Sequence, residues 1–217
     1  MSQARISISE DPARPRETKR GEARRRAFLD AAREVFLAQG FEAASVNEVV
    51  RIAGGSLATL YAQFGSKEGL FLAMLEDGVG TVLAPMGEIA SSHRPLRDGL
   101  QAIGETFLEA ILRPGAVAMY RIVISEGGKF PLVVRQYQAL GPDRVRGIVC
   151  AYLDERREAG EVRAVDLDAA AAGFIDLVAS SFRPRAIWDP GFALEAPERR
   201  AHVRRIVDLF ADGVATR

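Results

Sequence analysis

Apolar residues recur at three- and four-residue spacing along almost the whole chain, and that period constrains the fold more than any other feature. Phe28, Leu29, Ala32, Val35 and Phe36 set it first, with Arg24, Arg25, Arg33 and Glu34 among the positions between them. Such a period, with polar residues on the opposite face, marks an amphipathic helix rather than a half-buried strand. Gly40 stands where a helix C′ residue is expected, and Phe41 where the accompanying hydrophobic contact falls. Short Gly/Pro stretches then punctuate the pattern: Ser92-His93-Arg94-Pro95, Arg113-Pro114-Gly115, Gly127-Gly128, Gly141-Pro142 and Asp189-Pro190-Gly191. They delimit helices expected over residues 66–90, 96–112, 116–126, 131–140, 142–159, 167–186 and 196–214. Ile122-Val123-Ile124 and Leu132-Val133-Val134 are rich in β-branched residues but too brief for strands. The fold class expected is all-α.

Composition matters mainly for what it excludes. Of 217 residues 48% are hydrophobic and 27% charged, enough for the cores of one large or two small domains. No run approaches eighteen apolar residues, and the charged N-terminal 26 residues hold no apolar signal segment, so no membrane span and a cytoplasmic location are expected. Cys150 is the single cysteine, which rules out an intramolecular disulfide and a four-thiolate zinc site. Beside Ile148 and Val149 it reads as a buried thiol, with a redox sensor as the alternative. His93 and His202 lie in no metal-ligand spacing, Gly78-Val79-Gly80 lacks the third glycine of a dinucleotide fingerprint, and Gly65-Ser66-Lys67 has the wrong order for a phosphate loop. Asp166 and Asp168 read as helix N-caps. No nucleophile or general base can be nominated, so the expectation is a protein that is not an enzyme and calls for no cofactor or metal.

Basic and acidic residues number 29 each and cancel, but residues 1–26 carry eight basic against four acidic side chains. Residues 1–20, with Ser, Pro and Arg and little apolar periodicity, read as a disordered basic arm. Such an arm is either a phosphate-contacting tail or a solvated one.

The segment from Ser45 to Leu70 reads as three successive helix starts. Ser45-Val46-Asn47-Glu48 has the form of a capping box, followed by an apolar face of Val46, Val49, Ile52 and Ala53 and the stop Gly54-Gly55. Ser56 is the next N-cap, opening a second short helix through Leu57-Ala58-Thr59-Leu60-Tyr61. Two short helices joined by a Gly-containing turn form a helix-turn-helix, whose second helix presents its N-terminal residues to the major groove. One face of that helix is short or polar (Ser56, Thr59), the other apolar (Leu60, Phe64). Gly65-Ser66 caps the following long helix and puts Lys67 in its first turn, against the helix dipole. A nearby phosphate would offset that cost, so a DNA-backbone contact is expected in preference to an intramolecular partner.

These residues resemble the DNA-binding domain of TetR-family regulators. The resemblance is carried by Phe28-Leu29-Asp30-Ala31-Ala32, Phe36, Gly40-Phe41, Ser45-Val46, Ile52-Ala53-Gly54, Ser56, Thr59-Leu60-Tyr61, Phe64 and Ser66-Lys67-Glu68-Gly69-Leu70, without a gap over nearly fifty residues. Beyond it, Tyr120-Arg121-Ile122-Val123-Ile124-Ser125-Glu126 and Phe130-Pro131 resemble the AefR-like regulatory subgroup. The resemblance implies a helix-turn-helix DNA-binding domain at 21–66 and a helical ligand-sensing and dimerisation domain at 67–217. It places Ser45 and Asn47 near the DNA backbone or an edge base, Ser56, Leu57, Ala58 and Thr59 on the reading surface, and Tyr61 and Lys67 against phosphates. Two positions depart from the family pattern. Gly55 replaces a small β-branched residue, which implies a looser turn, and Leu57-Ala58 replace a basic residue and a glycine, shifting readout toward thymine methyls and DNA shape.

The family also implies a repressor that binds a palindromic or near-palindromic operator as a homodimer and is released by a small apolar or amphipathic effector. The helix leaving the DNA domain, lined by Phe71, Met74, Leu75, Val79, Val82, Leu83 and Met86 and expected to break or kink at Pro85 and Gly87, would transmit occupancy. The last two helices would pair across the dimer, with faces Leu167, Ala170, Ala171, Phe174, Ile175, Val178 and Val203, Ile206, Val207, Phe210, Val214, unless those stripes pack the monomer's own core. Phe107, Ile111, Met119, Tyr120, Phe174 and Trp188 are candidates for lining an effector cavity, or are plain core. An effector-independent architectural DNA-binding protein is the alternative, and activation stays open beside repression.

Overall fold

A computed structural model describes residues 19–214, so the expectation for residues 1–18 of the arm lies outside the described residues. Lys19 and Arg20, counted in that arm, are instead the first residues of a helix. The elements run α1 (Lys19–Ala43), α2 (Val46–Ala53), α3 (Leu57–Phe64), α4 (Lys67–Ala90), α5 (Leu96–Leu112), α6 (Pro114–Glu126), α7 (Pro131–Leu140), α8 (Pro142–Glu158), α9 (Leu167–Ser180), α10 (Arg183–Trp188) and α11 (Ala196–Val214). Every element among the described residues is a helix, and the chain is all-α.

Most boundaries follow local chemistry. Gly40 breaks α1 with φ 78°, and Phe41 folds back to stack on Phe36 at 5.8 Å. Ser66 caps α4 by accepting from the Gly69 amide at 3.1 Å, and Asp166 caps α9 by accepting from the Ala169 amide at 3.0 Å. Asp168 is not a cap; it pairs with Arg146 at 3.3 Å. α4 continues through Pro85 to Ala90 instead of breaking. Pro85 is exposed there, so the carbonyl that loses its donor lies on the wet side of the helix. Residues 167–186 are two helices rather than one, because Pro184 lacks the amide needed to continue α9 and suits the first turn of α10.

Two apolar clusters organise the molecule. The first joins Phe28, Leu29, Val35, Phe36 and Phe41 of α1 to Val49, Leu60 and Phe64 of the next two helices and to Leu70, Phe71, Met74 and Leu75 of α4. Ile122 of α6 and Val133 of α7 close it from the other half of the chain. The second gathers Leu83 and Met86 of α4 with the buried faces of α5, α8, α9 and α11. α4 therefore belongs to both clusters. Its length and its mean hydropathy of 1.3 would suffice to cross a membrane, alone among the described helices. Two physical facts argue for a shared core helix instead: its buried residues are split between the two clusters, and Asp77 at mid-length pairs with Arg26 at 2.7 Å and Arg33 at 2.9 Å of α1.

The apolar stripes of α9 and α11 pack the protein's own core. Ala171, Phe174, Val178, Val203, Val207 and Val214 are buried there, with Phe174 and Phe210 rings 5.3 Å apart. What these helices leave exposed is a second, sparser set that includes Leu177 and Leu209.

Candidate nucleic-acid interface and regulatory cavity

Helices α1 to α3 form the head of the molecule, and side chains of α1 help hold the corner between α2 and α3. Ser45 precedes α2 with extended backbone, as an N-cap should, but its hydroxyl makes no capping bond. The expected capping box does not form because Glu48 faces elsewhere: it accepts from Gln39 at 2.6 Å and lies 3.6 Å from Arg51. Val49 is buried beneath the corner. At the turn, Gly54 and Gly55 have φ of 68° and 117°, and Gly55 lies where a β-branched residue could not reside without strain. Arg24, reaching over from α1, donates to the Ala53 carbonyl at 3.1 Å and the Gly54 carbonyl at 2.6 Å. The turn is therefore pinned by a guanidinium on the end of α2, where helix carbonyls lack partners, rather than loosened by its second glycine. Arg24 is the residue of this site that periodicity could not reveal, since it lies 29 residues from its acceptor.

Ser56 opens α3 by accepting from the Thr59 amide at 3.1 Å, and the Thr59 hydroxyl lies 2.9 Å from the Ser56 hydroxyl. The helix is sharply two-faced. Leu60 is 0% exposed and Phe64 is buried edge-on to Phe28, with ring centroids 6.2 Å apart. On the other side Leu57 is 37% and Tyr61 43% exposed, and Ser56, Ala58, Thr59 and Ala62 are exposed with them. Asn47 is exposed on α2 and Ser45 is half-buried beside it. Six of the eight nominated contact residues (Asn47, Ser56, Leu57, Ala58, Thr59, Tyr61) are thus exposed on one corner.

Lys67 has an intramolecular partner, contrary to the sequence-based expectation. Its ammonium donates to the Glu42 carbonyl at 2.8 Å and sits 5.2 Å from the Phe41 ring centroid. The dipole conflict is relieved by the C-terminal end of α1, whose Glu42 carbonyl accepts from the ammonium. Glu68 next to it is held below the usual carboxylate range by a backbone amide and the Ser66 hydroxyl.

The head is latched to the rest of the molecule through the same end of α1. Glu126, the last residue of α6, accepts from the Phe41 amide at 2.8 Å and the Glu42 amide at 2.6 Å. Lys129 pairs with the Glu42 carboxylate, which holds the lysine pKa up.

Farther along α6 lies a small cavity of about 40 Å³ with Ile111, Val117 and Ile187 as apolar walls and Tyr120, Tyr137 and Arg183 as polar ones. The structure distributes the six nominated cavity residues unevenly. Ile111 and Tyr120 line it, and Phe107 touches it through Arg183, whose guanidinium is 5.8 Å from the Phe107 ring. Met119 packs on the head cluster, Phe174 lies in the core, and Trp188 is 78% exposed at the surface. Cys150 is half-buried, and burial pushes its thiol pKa up, away from the thiolate.

Residues 28–74 match the model of bacterial regulatory proteins of the tetR family, and residues 98–213, more than half of the chain, match the AefR-like transcriptional repressor C-terminal domain. The chain belongs to the TetR family of transcriptional regulators. Within the family it is 37% identical over 100 residues to the HTH-type transcriptional repressor BdcR of Escherichia coli, covering 46% of this chain and 45% of that one. It is 34% identical over 97 residues to the HTH-type transcriptional activator FasR of Mycolicibacterium smegmatis, covering 45% and 42%. The chain thus matches about half the length of these curated relatives. A TetR-family regulator from Mesorhizobium loti shares the fold over 92% of this chain and all of its own, with TM-score 0.83 at 19% identity. The flavonoid-responsive regulator FrrA superposes over 90% of this chain and 99% of its own, with TM-score 0.76 at 26% identity.

Proposed function

We propose that this TetR-family protein is a cytoplasmic repressor that binds a palindromic or near-palindromic operator as a homodimer and is released by a small apolar or amphipathic effector. The observation that carries the DNA assignment is the two-faced α3: a helix anchored by Leu60 and Phe64 that turns Leu57, Ala58, Thr59 and Tyr61 outward from a pinned turn. In this reading α3 enters the major groove, with Ser56, Leu57, Ala58 and Thr59 facing base edges and the Leu57 and Ala58 side chains meeting thymine methyls. Ser45, whose hydroxyl is not spent on a cap, and Asn47 approach the backbone from α2. Tyr61 and Lys67 contact phosphates; the lysine keeps donors beyond the one given to Glu42. The domains are a head that begins with α1 at Lys19 and runs to residue 66, and a sensing and dimerisation part at 67–217.

Two copies pair through α9 and α11, using the exposed side chains outside the core stripes, Leu177 and Leu209 among them. Effector occupancy then changes the separation of two heads that must meet grooves about one turn, roughly 34–36 Å, apart. The effector's differential affinity for the two arrangements sets the size of that shift, typically about 1–3 kcal/mol. α6 joins α4 as a route for it, because α6 carries both Tyr120 of the cavity wall and the Glu126 latch on the head. The action is binding rather than turnover. FrrA, named as flavonoid-responsive, supports an aromatic effector.

Footprinting on the intergenic DNA beside the coding region tests the reading. Two protected half-sites one turn apart, lost on addition of an effector found by screening, is the result it predicts. Unphased protection that no compound alters would favour an effector-independent architectural protein instead.

A further inference from the structure

The cavity between α5, α6, α7 and α10 holds polar groups that the fold itself does not use. Arg183 lies 5.3 Å from the Tyr120 ring centroid and 5.8 Å from that of Phe107, and among the described residues it has no carboxylate, carbonyl or hydroxyl partner. Neither the Tyr120 nor the Tyr137 phenol has a hydrogen-bond partner among the described residues, although their rings pack 6.0 Å apart. Arg121 is the contrast. It faces the same short helix and is tied to it, donating to the Ile187 carbonyl at 2.9 Å and the Ala186 carbonyl at 2.8 Å. No aspartate or glutamate lines the cavity. Burial raises the Tyr137 pKa, so its phenol stays a proton donor.

A guanidinium and two phenols facing an otherwise apolar space form a receptor for one negative charge on an apolar body. The planar fork of a single arginine matches a carboxylate, and its position over aromatic rings favours a flat ligand. We infer that the effector is an aromatic monocarboxylate, its carboxylate on Arg183 with Tyr137 as a second donor and its ring system against Ile111, Val117 and Ile187. A space of about 40 Å³ holds little more than one water, so the ligand widens it by moving α10, a helix of 6 residues, together with the Arg121 contacts that tie it to α6. This inference rests on the reading that the protein answers an effector at all.

Isothermal titration of the DNA-free, full-length protein with 2-naphthoate and with neutral 2-naphthamide tests it. The expected result is naphthoate binding about tenfold or more tighter than the amide, the scale of one charge-assisted bidentate contact. Arg183→Gln should remove that preference, while Arg183→Lys should retain part of it. Should the glutamine variant fail to fold, the wild-type preference and its retention in the lysine variant still decide. Equal binding of the two ligands, a preference that survives in Arg183→Gln, or no binding of either would overturn the inference. Naphthoate that binds with the expected preference but leaves DNA affinity unchanged would support the anion site while contradicting release by an effector.

Discussion

Gly69 lies where the first turn of α4 passes the end of α3, and a Cβ there would stand 2.0 Å from the Phe64 carbonyl oxygen. No side chain fits, and the obstacle is backbone. Gly69→Ala should therefore push α3 off α4, costing about 1–3 kcal/mol of stability and weakening DNA binding by displacing the reading face; a thermal melt and a DNA titration that both match wild type would contradict the packing described. In the other half Tyr152 is buried with its hydroxyl within reach of the Arg94, Pro95 and Leu96 carbonyls at 3.0, 2.9 and 3.3 Å, and burial pushes its pKa up to about 12. The folded state thus keeps this proton longer than the unfolded chain, where the phenol titrates near 10. Its contribution is intact below pH 10 and is lost as pH rises from about 10 through about 12. Urea midpoints between pH 9 and 12 should fall less steeply for Tyr152→Phe than for wild type, and parallel curves would refute the assignment.

At the scale of elements, Glu126 ties the end of α6 to two backbone amides of the head. Glu126→Gln keeps the shape but removes the charge and one acceptor oxygen. Hydrogen exchange at Phe41 and Glu42 should quicken while the amides of α8 stay unchanged; exchange unaltered at both places would show that the latch is not holding the head. The legibility of the chain divides at this scale. Helices and their stops can be read because 3.6-residue periodicity, Gly40, Ser56, Ser66 and Pro131 act within a turn of themselves. The two short helices of the corner are legible for the same reason. What escapes depends on side chains meeting from distant elements. Arg24 on the turn, Glu126 on α1, and Tyr137 and Arg183 around the cavity have no local signature. The Ser45 capping box fails likewise, because Gln39 of α1 donates to Glu48 across the corner. Apolar periodicity also cannot tell a core stripe from a dimer stripe, and on α9 and α11 the stronger stripe belongs to the core.

At the scale of the whole molecule, the proposed dimer must hold its two heads at one spacing to meet an operator. Leu209 is 66% exposed on α11, one of the two helices through which the proposed dimer pairs. Leu209→Arg should shift sedimentation from dimer to monomer and lower DNA affinity while leaving the thermal unfolding of the protomer cooperative; a variant that stays dimeric would move the interface elsewhere. We propose that the corner built from α2, α3 and the start of α4 grips operator DNA. Fluorescence anisotropy of the purified protein on its flanking intergenic DNA, measured over a series of salt concentrations beside the Tyr61→Ala/Lys67→Ala double variant, tests it most directly. Tight, sequence-selective binding whose affinity drops in the double variant, with a salt slope reduced by about 1 for each phosphate no longer gripped, is the result predicted. Identical affinity and slope for the two proteins, or binding that ignores sequence, would contradict it.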